Sequence, residues 1–430
     1  MRTWMRIGLL SFGGPAGQIA LLYRILVEEK RWLDERRFLH ALQFCMLLPG
    51  PEAHQLVVYT GRILHGIRGG ILAGTLFVLP GLFAILTLSV VYVLLGTLPL
   101  LQAALLGLRA AVIAIVLEAW LRMCRRMLDA PAMVASAALA FFTLFAFRIP
   151  FPVIVLGAGL LGWLGPGRFP VAGPRGATAP SEPGRIGPDR TSRLLGIGLP
   201  LWLGPFLLSA FLLGSEHVFT AIARLGSELA LLGFGGAYAV LSYATQVAVE
   251  SRGWLAPSEM LDGLALAETV PGPLVLVLSF VGFLAAFRAP GAFDPVLAGI
   301  LGGALAAWAM FLPSFLLVLV GAPYIERLRT HTALSGALAA IAAAAVGAIA
   351  LLVLRFALYG LFLAVETTRI GPLVLEVPVL ASWNPTACLL ALLALLAAVR
   401  FRPGPGPLLL GGAASGVLLH LLRFELLGFL

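Results

Sequence analysis

Charge is scarce in this sequence. Aspartate, glutamate, lysine and arginine make up 11% of its 430 residues, whereas soluble domains carry roughly one quarter. A chain so poor in solvated side chains cannot cover a folded surface for life in water, which excludes the ordinary soluble classes. Cysteine is also sparse. Cys45, Cys124 and Cys388 lie far apart and form no C-x-x-C, so neither a metal knuckle nor a disulfide framework is expected. Nucleophile elbows, H-E-x-x-H and paired carboxylates with a defined partner are missing as well, leaving no support for an enzyme beyond a remote membrane-embedded one using Glu52, His54 and Glu268. No cofactor and no metal site is expected. Arg2 and Arg6 precede an apolar run, but Gly13-Gly14-Pro15 interrupts it and no cleavage site follows, so no removable signal peptide is read.

Apolar residues are abundant: 60% of the chain is hydrophobic and the mean hydropathy is +1.01. Spread over many long runs, this surplus predicts a polytopic, all-α membrane protein. The net charge of +9 and pI near 10.2 would raise nucleic acid as a partner in a soluble chain. Here the basic residues read as loop anchors, and no nucleic-acid partner is expected.

The chain repeats itself. "LLSFGGPAG" at Leu9 returns as "LLGFGGAYA" at Leu231, a shift of 222 residues. The same shift pairs Val27-Glu28 with Val249-Glu250, Trp32-Leu33 with Trp254-Leu255, and Pro49-Gly50-Pro51 with Pro271-Gly272-Pro273. After an insertion of about 11 residues the match resumes at shift 233, pairing Gly69-Gly70 with Gly302-Gly303 and Leu79-Pro80 with Leu312-Pro313. Leu-on-Leu matches arise by chance in apolar sequence, but a Trp, a Glu, a Gly-Gly and a Pro-Gly-Pro do not align so. Two homologous repeats follow: 1–164, and 215–430 after a Pro/Gly/Arg-rich linker at 165–193 and an extra span at 194–214.

Each repeat opens with two broken segments, 5–26 and 38–66 in the first, 219–248 and 259–287 in the second. Full spans are expected at 70–95, 99–121, 132–147 and 150–164, then at 296–320, 333–355, 385–399 and 406–428. If each broken segment is a re-entrant hairpin, most Lys and Arg residues fall on one face. That places the linker in the cytoplasm. Five spans then separate the two Phe-Gly-Gly motifs, which inverts the second repeat relative to the first. The loops agree: 24–37 carries Arg24, Lys30, Arg31, Arg36 and Arg37, while its counterpart 249–260 carries only Arg252. Inverted repeats with Gly/Pro-interrupted segments in matching positions mark a secondary transporter.

Broken backbone at membrane depth persists only inside protein or beside a wet cavity. Pro15 and Pro51 suit the first turn of a new half-helix, whose leading N–H groups carry partial positive charge. Glycines there let an anion approach the backbone. Gly13, Gly14, Gly50, Gly235, Gly236 and Gly272 are therefore candidate anion-binding positions, converging from four breaks on one midplane site. Glu52 and Gln55 follow the first Pro-Gly-Pro, and Glu268 and Thr269 precede the second. Glu268 is the candidate proton carrier. Arg109 either attracts an anion or pairs with a carboxylate on another helix, the latter being the plainer reading. His40, His65 and His420 read as packing or interfacial residues.

With these motifs in hand, the chain resembles the long-chain, two-domain form of the chromate ion transporter family. The resemblance rests on "FGGPAGQIALLYR", "LLPGPEAHQLVVYTG" and "HGIRGGILAGTLFVLPG" in the first repeat. In the second it rests on "FGGAYAVLSY", "GWLAPSEMLDGLALAETVPGPLVLVLSFVGF" and "FLPSF". It implies export of chromate across a bacterial-type inner membrane, driven by the proton or charge gradient, with sulfate as the natural competitor. Expected partners are chromate, with sulfate as the alternative, membrane lipid and, as an open alternative, a second copy of the chain. Arg62 stands where the resemblance leads one to expect an aromatic residue.

Overall fold

The computed structural model describes residues 1–46, 48–169, 188–321, 331–401 and 403–428. Most of the linker predicted at 165–193 lies outside the described residues. The chain is almost wholly helical. Six described helices are long and apolar enough to cross a membrane: Glu52–Leu95, Pro99–Met127, Thr191–Leu213, Pro295–Gly321, Thr332–Leu361 and Pro405–Leu422. A multi-pass membrane protein is the result.

The first repeat starts with α1 (Arg2–Leu10) and α2 (Gly14–Tyr23), separated at Ser11–Gly13. A π-helical turn, Arg24–Glu29, follows, then α3 (Glu35–Cys45) and the Pro49-Gly50-Pro51 break. Helix α4 (Glu52–Leu95) continues from there, with non-helical backbone at His65 and Gly66. Its first arm returns toward the basic loops and packs on its own second arm, Gly61 against Gly69. Helices α5 (Pro99–Met127), α6 (Pro131–Phe147) and α7 (Phe151–Leu164) complete the repeat, and α8 (Pro188–Leu213) leads to the second.

There the same parts recur: α9 (Val218–Leu232), α10 (Ala237–Thr245), a π-helical turn at Gln246–Ser251, α11 (Pro257–Thr269), the second Pro-Gly-Pro, a 3-10 turn at Leu274–Leu276 and α12 (Val277–Arg288). Helices α13 (Pro295–Gly321), α14 (Thr332–Leu361), α15 (Pro385–Phe401) and α16 (Pro405–Gly428) follow. The 222-residue shift reaches single hydrogen bonds. Trp32 N–H donates to Leu26 C=O at 2.8 Å and Trp254 N–H to Ala248 C=O at 2.7 Å. Lys30 donates to Ile25 as Arg252 does to Val247, and the two π-helical turns occupy equivalent positions.

Between repeats the long spans run antiparallel. A Cβ on Gly70 would meet Leu319 at 3.3 Å, and Gly303 lies against Leu86. These contacts exchange when each residue is moved by 233 positions, as an in-plane two-fold relation demands. Small residues make the approach possible, the usual basis of helix packing in lipid. Helices α6 and α7 span only about 26 and 21 Å at 1.5 Å per residue. They seat instead on the Ala/Gly face of α14, with Gly162 against Gly336 and Gly347 against Ala137.

One stretch departs from the all-α expectation. Val365–Ile370 (β1) and Leu373–Pro378 (β2) form an antiparallel hairpin turning at Gly371, φ +60°. Val365, Thr367, Thr368, Ile370, Val374 and Val377 are β-branched, which suits a pleated ribbon and disfavours helix. The predicted spans left this segment unassigned.

Candidate functional site

Every predicted break contains glycine in backbone that L-residues avoid: φ is +91° and +68° at Gly13 and Gly14, +113° at Gly50, +89° and +86° at Gly235 and Gly236, and +104° at Gly272. These angles stop one helix and aim the next in a new direction, which is the local reason for Gly at each. Pro15 falls in the first turn of α2, as expected, while Pro51 sits at the N-cap of α4.

The breaks meet across the repeats. Gly50 N–H donates to Gly233 C=O at 3.1 Å; Gly272 N–H donates to Ser11, to its C=O at 2.9 Å and its Oγ at 3.0 Å. Ser11 and Gly233, like Gly50 and Gly272, are equivalent positions, so one contact is the symmetry mate of the other. Gln18 Nε2 adds a bond to Gly272 C=O at 2.6 Å. The expectation that the Gly50 and Gly272 amides stand ready for an anion therefore needs correction in this conformation. Both amides are consumed in joining the halves, because an unpaired N–H at this depth costs too much.

The starts of α2 and α10 are different. Neither is capped by a side chain, and each faces a carboxylate. A Cβ on Gly14 would stand 4.0 Å from both Glu268 carboxylate oxygens and 3.8 Å from the Tyr238 hydroxyl. One on Gly236 would stand 3.3 Å from Glu52 Oε1. A carboxylate at a helix start is favoured by the dipole. Glu268 is 3% exposed. Its Oε1 accepts from the Tyr238 hydroxyl at 3.0 Å, and its Oε2 is buried without a partner. Thr269 is spent on its own helix, donating to Leu266 C=O at 2.7 Å. Gln55 donates to Pro49 C=O at 2.6 Å and leaves Oε1 buried and unpaired. His54 Nδ1 lies 3.1 Å from Ser314 Oγ, between the rings of Phe311 and Phe315, with Nε2 unpaired.

Tyr238, Ser11, Gln18 and Ser314 were not among the candidate residues. The signal for two of them was present: Ser11 is the equivalent of Gly233, and Ser314 that of Gly81. The crossing they make is apolar in one copy, Gly81 against Leu276, and polar in the other, Ser314 with His54.

Arg62 donates to the carbonyls of Val318 and Leu319 at 3.3 and 3.2 Å, capping the end of α13. Arg109 is in an ion pair between helices: Nε and Nη2 grip Asp262 Oδ1 and Oδ2 at 2.5 and 2.7 Å, and Tyr92 donates to the same Oδ2 at 2.9 Å. This group lines a cavity of about 740 Å³ that also borders His420. The cavity is not at the breaks. It lies at the other end of α11, where Asp262 is about 9 Å along the helix from Glu268, at 1.5 Å per residue.

Two copies of a broken-helix module, joined break to break around buried carboxylates and enclosed by long apolar spans, define a polytopic membrane transporter. The chain belongs to the chromate transporter family, whose profile matches residues 1–163 and 220–417. It is similar to the chromate transport protein of Pseudomonas aeruginosa, 33% identical over 356 residues that cover 80% of this chain and 77% of the relative. A probable chromate transport protein of Synechococcus elongatus is 30% identical, with 81% of each chain covered. The chromate transport protein of Cupriavidus metallidurans is 29% identical, covering 80% of this chain and 79% of the relative. No solved structure matches.

Proposed function

We propose that the protein is a secondary active transporter that exports chromate across the inner membrane, using the proton or charge gradient, and thereby confers chromate resistance. The observation that carries this reading is the junction of the four breaks. Two uncapped helix starts from opposite repeats face it, and a carboxylate lies against each. Gly13, Gly14, Gly235 and Gly236 give the close approach. Gln55 and Thr269 lie beside it, their donors bonded to Pro49 and Leu266 in this conformation, and Gly50 and Gly272 hold the two halves in register. Glu268 is the proton carrier: its carboxylate lies against the start of α2, one oxygen bonded to the Tyr238 hydroxyl of α10 and the other without a partner. Glu52 holds the matching position at α10. The names of the relatives support chromate as the substrate.

Reconstitution in vesicles tests this. Saturable, protein-dependent flux of labelled chromate is expected, and its absence for chromate and sulfate alike would overturn the reading. Sulfate or another small anion is the alternative substrate, since sulfate shares chromate's shape and charge. Mutual competition in the same vesicles separates the two. The relatives being named transporters fits a protein that is not an enzyme.

A further inference from the structure

We infer that the cavity at Arg109 is an anion-docking vestibule, a second oxyanion site at the mouth of the path on the face away from the basic loops. Its rim is formed where three helices begin: α5 at Pro99, α11 at Ser258 and α15 at Pro385 all line it. Helix starts carry partial positive charge, and here three of them border one space. The far end of α5 carries Arg122, Arg125 and Arg126, so the cavity opens on the opposite face.

The charges inside favour an anion too. Asp262 has no exposure and lies behind the guanidinium of Arg109, which is 27% exposed. Two of the five Arg109 N–H groups hold Asp262, and the remaining ones have no other partner among the described residues. Glu259, the other acid bordering the space, is spent on Arg288 at 2.5 Å and on the Ala256 amide at 2.8 Å. An entering ion therefore meets the Arg109 cation, with Asp262 out of reach and the charge of Glu259, 20% exposed, balanced by Arg288. Gln102 and Asn384 add polar side chains to the lining, Asn384 Oδ1 also accepting from the Ala387 amide in the first turn of α15. A bidentate guanidinium fits a tetrahedral oxyanion as it fits a carboxylate. Docking then uses the free N–H groups of Arg109 and leaves its grip on Asp262 in place, at the entrance to α11, the helix that leads to Glu268. The geometry of the vestibule stands apart from turnover, but its place on a transport path rests on the function proposed above.

A free oxyanion and the phosphate of a lipid headgroup share this chemistry, and the structure favours the free ion because Arg109 lies about 15 Å along α5 from the rim at Pro99, in a lining that mixes leucines with polar side chains. The test is cysteine protection in vesicles. Ser258→Cys is placed in a C45S/C124S/C388S background and treated with a membrane-impermeant cationic methanethiosulfonate, with sulfate as the probe because chromate oxidises thiols. Modification is expected, and sulfate at about ten times its dissociation constant should slow it about tenfold. In the Arg109→Gln/Asp262→Asn double variant, which removes both charges and keeps hydrogen-bonding groups, the thiol should react at its original rate while protection disappears. An unreactive thiol, protection that survives the double variant, or protection that tracks the phosphatidylglycerol content of the vesicles would each overturn the proposal. A changed thiol rate in the double variant is checked against Arg109→Lys, which must retain partial protection. None of these readouts needs turnover, so a failure of chromate flux leaves them decisive.

Discussion

Glu268 shows what one residue can do at membrane depth. Its helix places it at a break, its burial removes water, and one of its oxygens lacks a partner. Such a group is costly unless its charge is balanced or neutralised by a proton. Glu268→Gln keeps the Tyr238 hydrogen bond and removes the titration. Flux driven by an imposed pH gradient should be lost while the folded protein survives, measured as vesicle uptake beside a thermal melt. Unchanged pH dependence would remove Glu268 from the proton path. That Glu268 and Glu52 lie at the breaks was legible from their positions beside Pro-Gly-Pro. That each would lie against a helix start of the opposite repeat was not, because no local pattern specifies a contact between residues more than 200 positions apart.

At the scale of elements, the breaks were legible because Gly and Pro act on backbone locally. The left-handed angles at all six candidate glycines follow from the absence of Cβ. The function of two of them changed on folding. Gly50 and Gly272 bridge the halves, so Gly50→Leu and Gly272→Leu act on both fold and transport. A Cβ at Gly50 would meet Gln55 Nε2 at 3.0 Å, and one at Gly272 would meet Leu276 at 3.1 Å. Each substitution should cost about 1–3 kcal/mol of stability and abolish chromate flux, read by melting temperature and by vesicle assay. Full transport by both variants would show that the junction tolerates displacement. The β1–β2 hairpin illustrates a missed signal: its β-branched residues were visible, but the segment falls between the predicted spans and was left unassigned. The π-helical turns left no trace in the residues at all, since one extra residue per turn depends on what packs outside it.

The whole molecule adds a charge network that no segment announces. Arg355 of α14 bonds Glu250 beside the second π-helical turn and, at 3.1 Å, Glu376 of β2, which Arg148 at the end of α6 also grips at 3.1 Å. Four elements from both repeats are tied together there. Removing one member of a buried pair strands its partner, so Glu376→Ala should destabilise the protein by about 3–5 kcal/mol, seen as a lowered melting temperature with the helix content retained. The overall orientation gives a second check. Ser181→Cys in the linker and Ala292→Cys between α12 and α13 should be labelled by an impermeant thiol reagent from opposite faces, in a background lacking the native cysteines. Labelling from the same face would break the inverted arrangement.

By itself the sequence determined the membrane environment, the doubling of the chain and the location of every break, because hydropathy, offset identity and Gly/Pro backbone preferences are local quantities. Only tertiary structure decided which break meets which, that the Gly50 and Gly272 amides close the junction, that Asp262 holds Arg109, and that a cavity opens beside that pair. Those outcomes depend on close approach between distant segments, which small residues permit but cannot specify until the two repeats are packed against each other.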